Sequence, residues 1–529
     1  MCMNYETPAI CLAALQRLNP NHAIETHAVL ADILASLLKV SPEREQYIRV
    51  LETARPIAEQ TQAILTRHYT AQSPVPGSPA DDILKRVIRL WQAFVHSYEH
   101  IILSAEKDER IQKDEMALLM QRRMYHSTQI LLAYFHAHRA LPPGSWSALH
   151  RCYMEAVQHG VLRIRVSDPL NVVWKAQSTQ EAHIAVLLVD LANPYSRTAK
   201  ELRMIAGWAQ RFAPYCRLDD KLEEHKTATY VLDPERDSSL RPFGLVQPHA
   251  GLKRFDSSVF AEQLEMVMTQ LRQGIQPVAL GLGRDCSADT CYRLLASLYR
   301  PWCLAAVGRR FPRYTNQGEA ALSSNWRTIG FYLTGKVFQQ PALYARRNMG
   351  EDNVMTEQHG MPDDLQPEEA WRVLDQSANG FRVQKDTATT AFEHNMLVSL
   401  RTHDNSAVQI GYVSRLLYLY DGRLEAGVQI LSGKPVCVGI RITTSQTQGS
   451  THYEEGFLLP AVETLKMPVS LVVPVNWFSP SRILDVYWDG KLSMVRLHQR
   501  LMRGNNFDLV SFEVVEQAKS LSVLEESAR

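Results

Sequence analysis

From residue 8 to about residue 222 the apolar positions recur with the helical period. Val87, Trp91, Phe94, Tyr98 and Ile101 stand at i, i+4, i+7, i+11 and i+14, one stripe of a helix, and Met120, Met124, Ser127, Leu131 and Tyr134 repeat the pattern. A helix with one apolar stripe needs a partner to cover it, so residues 8–222 are predicted to form a helical bundle. Ser41-Pro42 and Ser78-Pro79 each put a capping hydroxyl before a proline suited to a first helical turn, with Asp81 at the third position of the second. Breaks fall at Ser73-Pro74-Val75-Pro76-Gly77 and at Pro142-Pro143-Gly144. Between 223 and 306 the pattern mixes. A strand-like Thr229-Tyr230-Val231-Leu232, a helical stretch from Phe260 to Leu271, an apolar Pro277-Val278-Ala279-Leu280 and another helix toward Trp302 predict a small α/β connector.

Beyond Arg309 the chain reads as predominantly β. Leu416 to Tyr420 is followed by Asp421-Gly422 and then by Leu424, Ala426, Val428 and Ile430, which alternate onto one face; Asp-Gly supplies the positive φ of a two-residue hairpin turn. The polar run from 339 to 369, with Met349-Gly350-Glu351-Asp352-Asn353 and Met361-Pro362-Asp363-Asp364, lacks a period and reads as a surface insertion. Val469 to Val475 and Leu484 to Trp488, the second ending at Asp489-Gly490, predict a further β-rich segment over 451–529. The expected fold class is multidomain α+β.

Composition narrows the function classes. A chain of 529 residues is long enough for three or four domains at roughly 150 residues each. Hydrophobic residues at 45% and charged residues at 21% exclude a disordered or fibrous chain. Lys plus Arg (57) balances Asp plus Glu (56), so no overall field holds the molecule on nucleic acid or an anionic membrane, and any anion site must be local. The start, Met1 to Glu6, lacks the basic and apolar regions of a secretion signal, and the apolar run Ile184 to Val189 ends at Asp190, too short to span a membrane. Eight cysteines without C-x-x-C spacing read as reduced thiols in a cytoplasmic protein. Cys286 and Cys291 have no second Cys or His pair that would complete a metal site.

Catalytic signatures are missing. G-x-S-x-G, H-E-x-x-H and a Walker A sequence do not occur, and no set of acid, base and nucleophile declares itself, so neither an enzyme activity nor a cofactor is expected. His96 and His100 have the helical spacing of paired metal ligands but no third ligand. Gly281-Leu282-Gly283-Arg284 follows an apolar run like the opening of a dinucleotide turn, yet the third glycine position is Cys286. Two elements remain. Arg309, Arg310 and Arg313 stand around Pro312, which blocks regular helix and leaves the arginines on an extended segment; guanidinium groups fork onto phosphates and onto the O6 and N7 edge of guanine. Asp375 and Ser377, two apart, share one side of a strand or turn, and Gly380 after them allows close approach of a ligand.

In these residues the sequence resembles the PilZ domain, a small β-barrel of bacterial signalling proteins that binds cyclic di-GMP. Arg309 and Arg313 match the family's R-x-x-x-R motif, with Arg310 an extra basic neighbour, and Asp375, Ser377 and Gly380 match its [D/N]-x-S-x-x-G motif. Val408 to Val413 and Leu424 to Ile430 stand where the family's later hairpin stands. The resemblance covers Val307 to Arg441 and implies a PilZ-like antiparallel β-barrel over 307–442, interrupted by the insertion, with the 451–529 segment as a further β tail. It implies that Arg309 and Arg313 hold phosphates and guanine edges while Asp375 and Ser377 meet a guanine. Arg313 and Asp375 lie farther apart than the family's usual spacing, so the insertion must loop out if the motifs are to converge. Two functions follow as expectations. One is a cytoplasmic bacterial receptor that senses cyclic di-GMP in the barrel and passes the signal to an unidentified protein partner through the helical portion. The other is a scaffold or chaperone-like interaction protein with a degenerate, non-binding barrel.

Overall fold

Of the two helix starts that the Ser-Pro pairs predict, the one at Ser78 forms. The computed structural model describes residues 5–71, 74–108, 111–220, 229–305, 313–315, 318–340, 365–387, 392–403, 405–443, 452–488 and 491–517. The chain divides into two compact units, 1–309 with 418–421, and 310–417 with 422–529.

The first unit holds helices α1 (Pro8–Leu15), α2 (Ala23–Val40), α3 (Arg44–Ala71), α4 (Pro79–Asp108), α5 (Lys113–His136), α6 (Ser145–Gln158), α7 (Thr179–Leu191), α8 (Ala199–Phe212), α9 (Ser258–Arg272) and α10 (Ala288–Cys303). Between them lie a two-stranded ribbon, β1 (Val166–Ser167) with β2 (Ala176–Gln177), and a small sheet of β3 (Arg217–Asp219), β4 (Tyr230–Leu232), β5 (Arg241–Pro242) and β6 (Lys253–Asp256) in the order β3-β6-β4-β5. Ser78 Oγ accepts from the Asp81 amide at 3.2 Å and starts α4 as expected. Ser41 does not start α3. It closes α2 as a left-handed C-cap at φ 48°, and its hydroxyl lies 2.8 Å from His100 Nε2, which accounts for one member of the histidine pair. The α4 stripe, Val87 to Ile101, is buried throughout. On α5, however, Gln121, Arg122, Arg123, Tyr125 and His126 are buried beside the apolar stripe, because α5 contributes to two cores at once. Met116 and Met120 join the core of α1 to α4, and Met124, Leu131 and Phe135 join that of α6 to α10.

Residues 223–306 do not form a connector of their own. Phe260 and Trp302 pack on Phe212 of α8 with ring centroids 5.2 and 6.3 Å away, so this stretch completes the second helical core. Pro277 to Leu280 is a series of turns rather than a strand. Cys286 and Cys291 are joined in a disulfide, against the expectation of separate thiols; the start of α10 brings their Cα atoms within 6.0 Å. Among the described residues no helix is long and apolar enough to cross a membrane.

The second unit contains β7 (Tyr314–Thr315), β8 (Glu319–Ser323), α11 (Trp326–Thr334), β9 (Glu369–Ser377), β10 (Gly380–Lys385), β11 (Leu397–Thr402), β12 (Asn405–Tyr418) and β13 (Leu424–Ile430). Their sheet runs β10-β13-β12-β11-β8-β9-β7, and β9 also pairs with β10, so β8, β9, β10, β13, β12 and β11 close into a six-stranded antiparallel ring. Leu424, Ala426 and Val428 face its interior as the alternation predicts. The β12–β13 loop is wider than two residues, because β12 ends at Tyr418, and Gly422 takes the positive φ of 88°. Most of the expected insertion, 341–364, lies outside the described residues.

A second cylinder follows. Strands β14 (Val436–Ile442), β15 (Glu454–Leu459), β16 (Ser470–Pro474), β17 (Ile483–Trp488), β18 (Lys491–Arg503) and β19 (Phe507–Gln517) form a closed barrel in the order β14-β15-β16-β19-β18-β17. The boundary expected at 442 is thereby corrected, since β14 pairs with β15 and β17 of the tail and the tail is itself a barrel. Its interior is Val438, Ile440, Leu471, Val473, Leu484, Val495, Leu497 and Val510.

Glu455 on β15 is 8% exposed and its Oε1 has no partner. Burial pushes its carboxyl up to about 7, against the opposing charge of Arg327. Because the folded state holds this proton more tightly than the unfolded chain, stability falls as pH rises from about 4.5 through about 7. Glu455→Gln is expected to remove that dependence and to stabilise the protein at pH 8 by on the order of 2 kcal/mol, read from urea midpoints across the pH range. Parallel pH profiles for the two proteins would refute it.

Candidate functional site

The tight hairpin β9–β10 builds the site. Ser377 pairs with Gly380, Gln376 with Phe381 and Asp375 with Arg382, leaving Ala378-Asn379 as the turn. Ser377 Oγ donates to the Gly380 carbonyl at 3.3 Å. Beyond Arg382 the register shifts, and Val383 faces Val373. This bulge decides where the carboxylate goes. Simple alternation would put Asp375 on the face of Trp371 and Val373, which are 1% exposed, but the extra residue Leu374 turns Asp375 outward beside Arg382.

Strand β7 brings the arginine segment to the same place. Tyr314 pairs with Gln376 and Thr315 with Asp375, and Arg313 Nη1 donates to Asp375 Oδ1 at 2.7 Å. Arg313, Asp375, Ser377 and Gly380 are therefore gathered around one hairpin despite the long separation in sequence. Arg309 and Arg310 lie outside the described residues.

Gly380 also has a structural role. A Cβ there would fall 2.3 Å from the Val428 carbonyl oxygen, so the close crossing of β13 by itself requires glycine.

Sequence reading missed Arg382 and its neighbours. Arg382 Nη1 lies 3.6 Å from Asp375 Oδ2, and its Nη2 donates to Glu425 Oε2 at 2.8 Å. Gln384 Nε2 donates to Glu425 Oε1 at 3.2 Å, while Arg372 and Arg423 both donate to Gln384 Oε1. Two guanidinium groups, Arg313 and Arg382, thus meet the carboxylates of Asp375 and Glu425, and two more, Arg372 and Arg423, reach the Gln384 amide beside them. A signal for Arg382 existed: counting outward from a two-residue turn at Ala378-Asn379 places it opposite Asp375.

Chemically, the patch offers arginine forks held by carboxylates that a stronger anion can displace. No group of three or more His, Cys, Asp or Glu suited to a metal occurs among the described residues.

Comparison with known proteins adds the following. Residues 9–224 match a family model described as "Cyclic-di-GMP receptor FimW, N-terminal domain", and residues 438–515 match one described as "FimW C-terminal beta-barrel domain". The second span falls within the barrel β14–β19, while the ring lies between the two matched spans. The chain is 21% identical over 534 residues to the cyclic-di-GMP receptor FimW of Pseudomonas aeruginosa, an alignment covering 90% of this chain and 86% of that one. A solved structure titled "MrkH, A novel c-di-GMP dependence transcription regulatory factor" aligns with 42% of this chain and 94% of its own at 6% identity, with a TM-score of 0.13.

Proposed function

We propose that this chain is a cytoplasmic, non-catalytic bacterial receptor for cyclic di-GMP that binds the dinucleotide at a PilZ-like ring, β8 to β13. The observation that carries the reading is the Arg313–Asp375 ion pair, because it joins the two halves of the sequence motif at one hairpin. The similarity to a cyclic-di-GMP receptor along nearly the whole chain supports it. Arg313 releases Asp375 to take a ligand phosphate or guanine edge, and Arg309 and Arg310 supply further cations from the segment before it. Asp375 and Ser377 meet a guanine's N1 and N2 protons, with Arg382 keeping the carboxylate in place. The bound state reaches a protein partner through the helical unit.

Titration with labelled cyclic di-GMP tests this. Arg313→Ala removes charge-assisted bonds and is expected to weaken binding roughly tenfold to a hundredfold, about 1.5 to 3 kcal/mol, with little change in melting temperature. Arg313→Lys fails similarly, because an ammonium keeps the charge and loses the planar fork. Arg496→Ala, at a second R-x-x-x-R on β18 where Arg496 pairs with Glu513, leaves binding intact. An unaltered chain that does not bind at micromolar dinucleotide sinks the receptor reading in favour of the scaffold.

A further inference from the structure

The helical unit carries a second cationic surface that the receptor reading does not use. A cavity of about 1130 Å³ opens among α3, α8, the β1–β2 turn and the loop 278–285. Arg67 from α3, Lys200, Arg203 and Arg211 from α8, and Arg284 line it, against one carboxylate, Asp285. Among the described residues Arg67, Lys200, Arg203 and Arg284 have no carboxylate within ion-pair distance. Some other arginines of this unit are paired, as Arg44 is with Glu115 and Arg139 with Asp81, while among the described residues Arg86, Arg89 and Arg151 also lie beyond ion-pair distance of a carboxylate; the cavity differs in gathering several such cations around one concave space. Partial burial and then the charge of Arg67 lower the Arg203 guanidinium's affinity for its proton, offset in part by Asp285, which marks two like charges held near each other.

The wall is built rather than loose. Arg211 Nε donates to the Leu280 carbonyl at 2.6 Å, Trp208 Nε1 to the Leu282 carbonyl at 2.9 Å, and Trp174 Nε1 to the Arg211 carbonyl at 2.9 Å. Gly281, at φ +68°, lies where a Cβ would stand 3.1 Å from Arg211 Nε, so this loop closes tightly on the helix. Trp174 and Tyr215, in edge contact with centroids 5.9 Å apart, add an aromatic end to the cavity. Unpaired arginine forks in a concave, aromatic-edged cavity of about the size of a small-ligand site match a phosphorylated small molecule better than a nucleic acid, which a chain of net charge +1 does not attract.

We infer that this cavity is a second anion site and takes a phosphorylated small molecule of nucleotide size. The test uses the full chain carrying Arg313→Ala, which keeps the ring from contributing, and isothermal titration with inorganic pyrophosphate, with ATP and with octaglutamate. Pyrophosphate and ATP are expected to bind, and Arg203→Gln or Lys200→Gln to weaken each about tenfold, with melting temperatures unchanged because both side chains are exposed. Arg203→Lys should lose most of that affinity as well, since it lacks the fork. Absence of phosphate binding at millimolar concentration, or equal binding by both glutamine variants, overturns the inference. Binding of octaglutamate without the phosphates also overturns it, by making the cavity a docking surface for an acidic protein segment.

Discussion

Trp302→Ala is expected to destabilise the whole helical unit by about 3 to 5 kcal/mol. The ring is fully buried, stands 5.5 Å from Phe260 and 6.3 Å from Phe212 between centroids, and donates its Nε1–H to the Leu188 carbonyl at 2.7 Å. Alanine therefore leaves a cavity the size of an indole at the meeting of α7, α8, α9 and α10. Leu188, in the last turn of α7, also loses a side-chain donor. The prediction has a structural edge. If residues 223–306 were a separate connector, the loss would be confined to them and the helical signal would unfold at its usual urea concentration. With one shared core, far-UV circular dichroism should show the main helical transition moving to lower urea, and an unmoved midpoint would refute the shared core.

Asp168→Ala should cost a similar amount, about 3 to 5 kcal/mol, for an electrostatic reason. Asp168 is completely buried after β1 and accepts from Arg55 Nη2 at 3.1 and 3.2 Å; Arg122 Nη1 stands 3.3 Å from its Oδ2. Arg55 and Arg122 are themselves 2% and 1% exposed. Glu52 completes the set, receiving Arg122 Nη2 at 2.8 Å and the Tyr98 hydroxyl at 2.8 Å. Removing Asp168 leaves two buried guanidinium groups facing one remaining partner carboxylate. Adding Arg55→Met to Asp168→Ala should restore part of the loss, because the excess charge is removed with its partner. A double variant no more stable than the single one would show that charge is not the cause. Glu52 adds a pH signature. Burial pushes its carboxyl up, but the hydrogen bond from Arg122 and the charges of Arg55 and Arg122 hold it below the ordinary value. Its contribution is full above about pH 4.5 and disappears as pH falls through the lower folded pKa.

Periodicity alone located the helical and β portions, because a stripe of apolar side chains or an alternating face is a local property of the backbone. The α4 stripe, the Ser78 cap, the β13 alternation and the strands near 470 and 484 were all legible in this way. Arg313, Asp375, Ser377 and Gly380 can be picked out by type and order. Ser41 was not, because a serine before proline can cap either end, and the left-handed φ of 48° that makes it a C-cap depends on how α2 meets α3. The same limit hid the burial of α5. A helix packed from both sides needs no clean stripe, and charged residues such as Arg122 enter its core only because distant Glu52 and Asp168 meet them there.

Tertiary structure decided what each element belongs to. Residues 223–306 join the helical core through Phe260 and Trp302, and β14 leaves the ring for the barrel, because shared burial and long-range strand pairing choose those partners rather than proximity in sequence. At the site, the β9 bulge turns Asp375 away from the interior, and β7 lays Arg313 against it across the intervening chain. The sequence determined which side chains could hold an anion; the strand register determined that these ones face the same space.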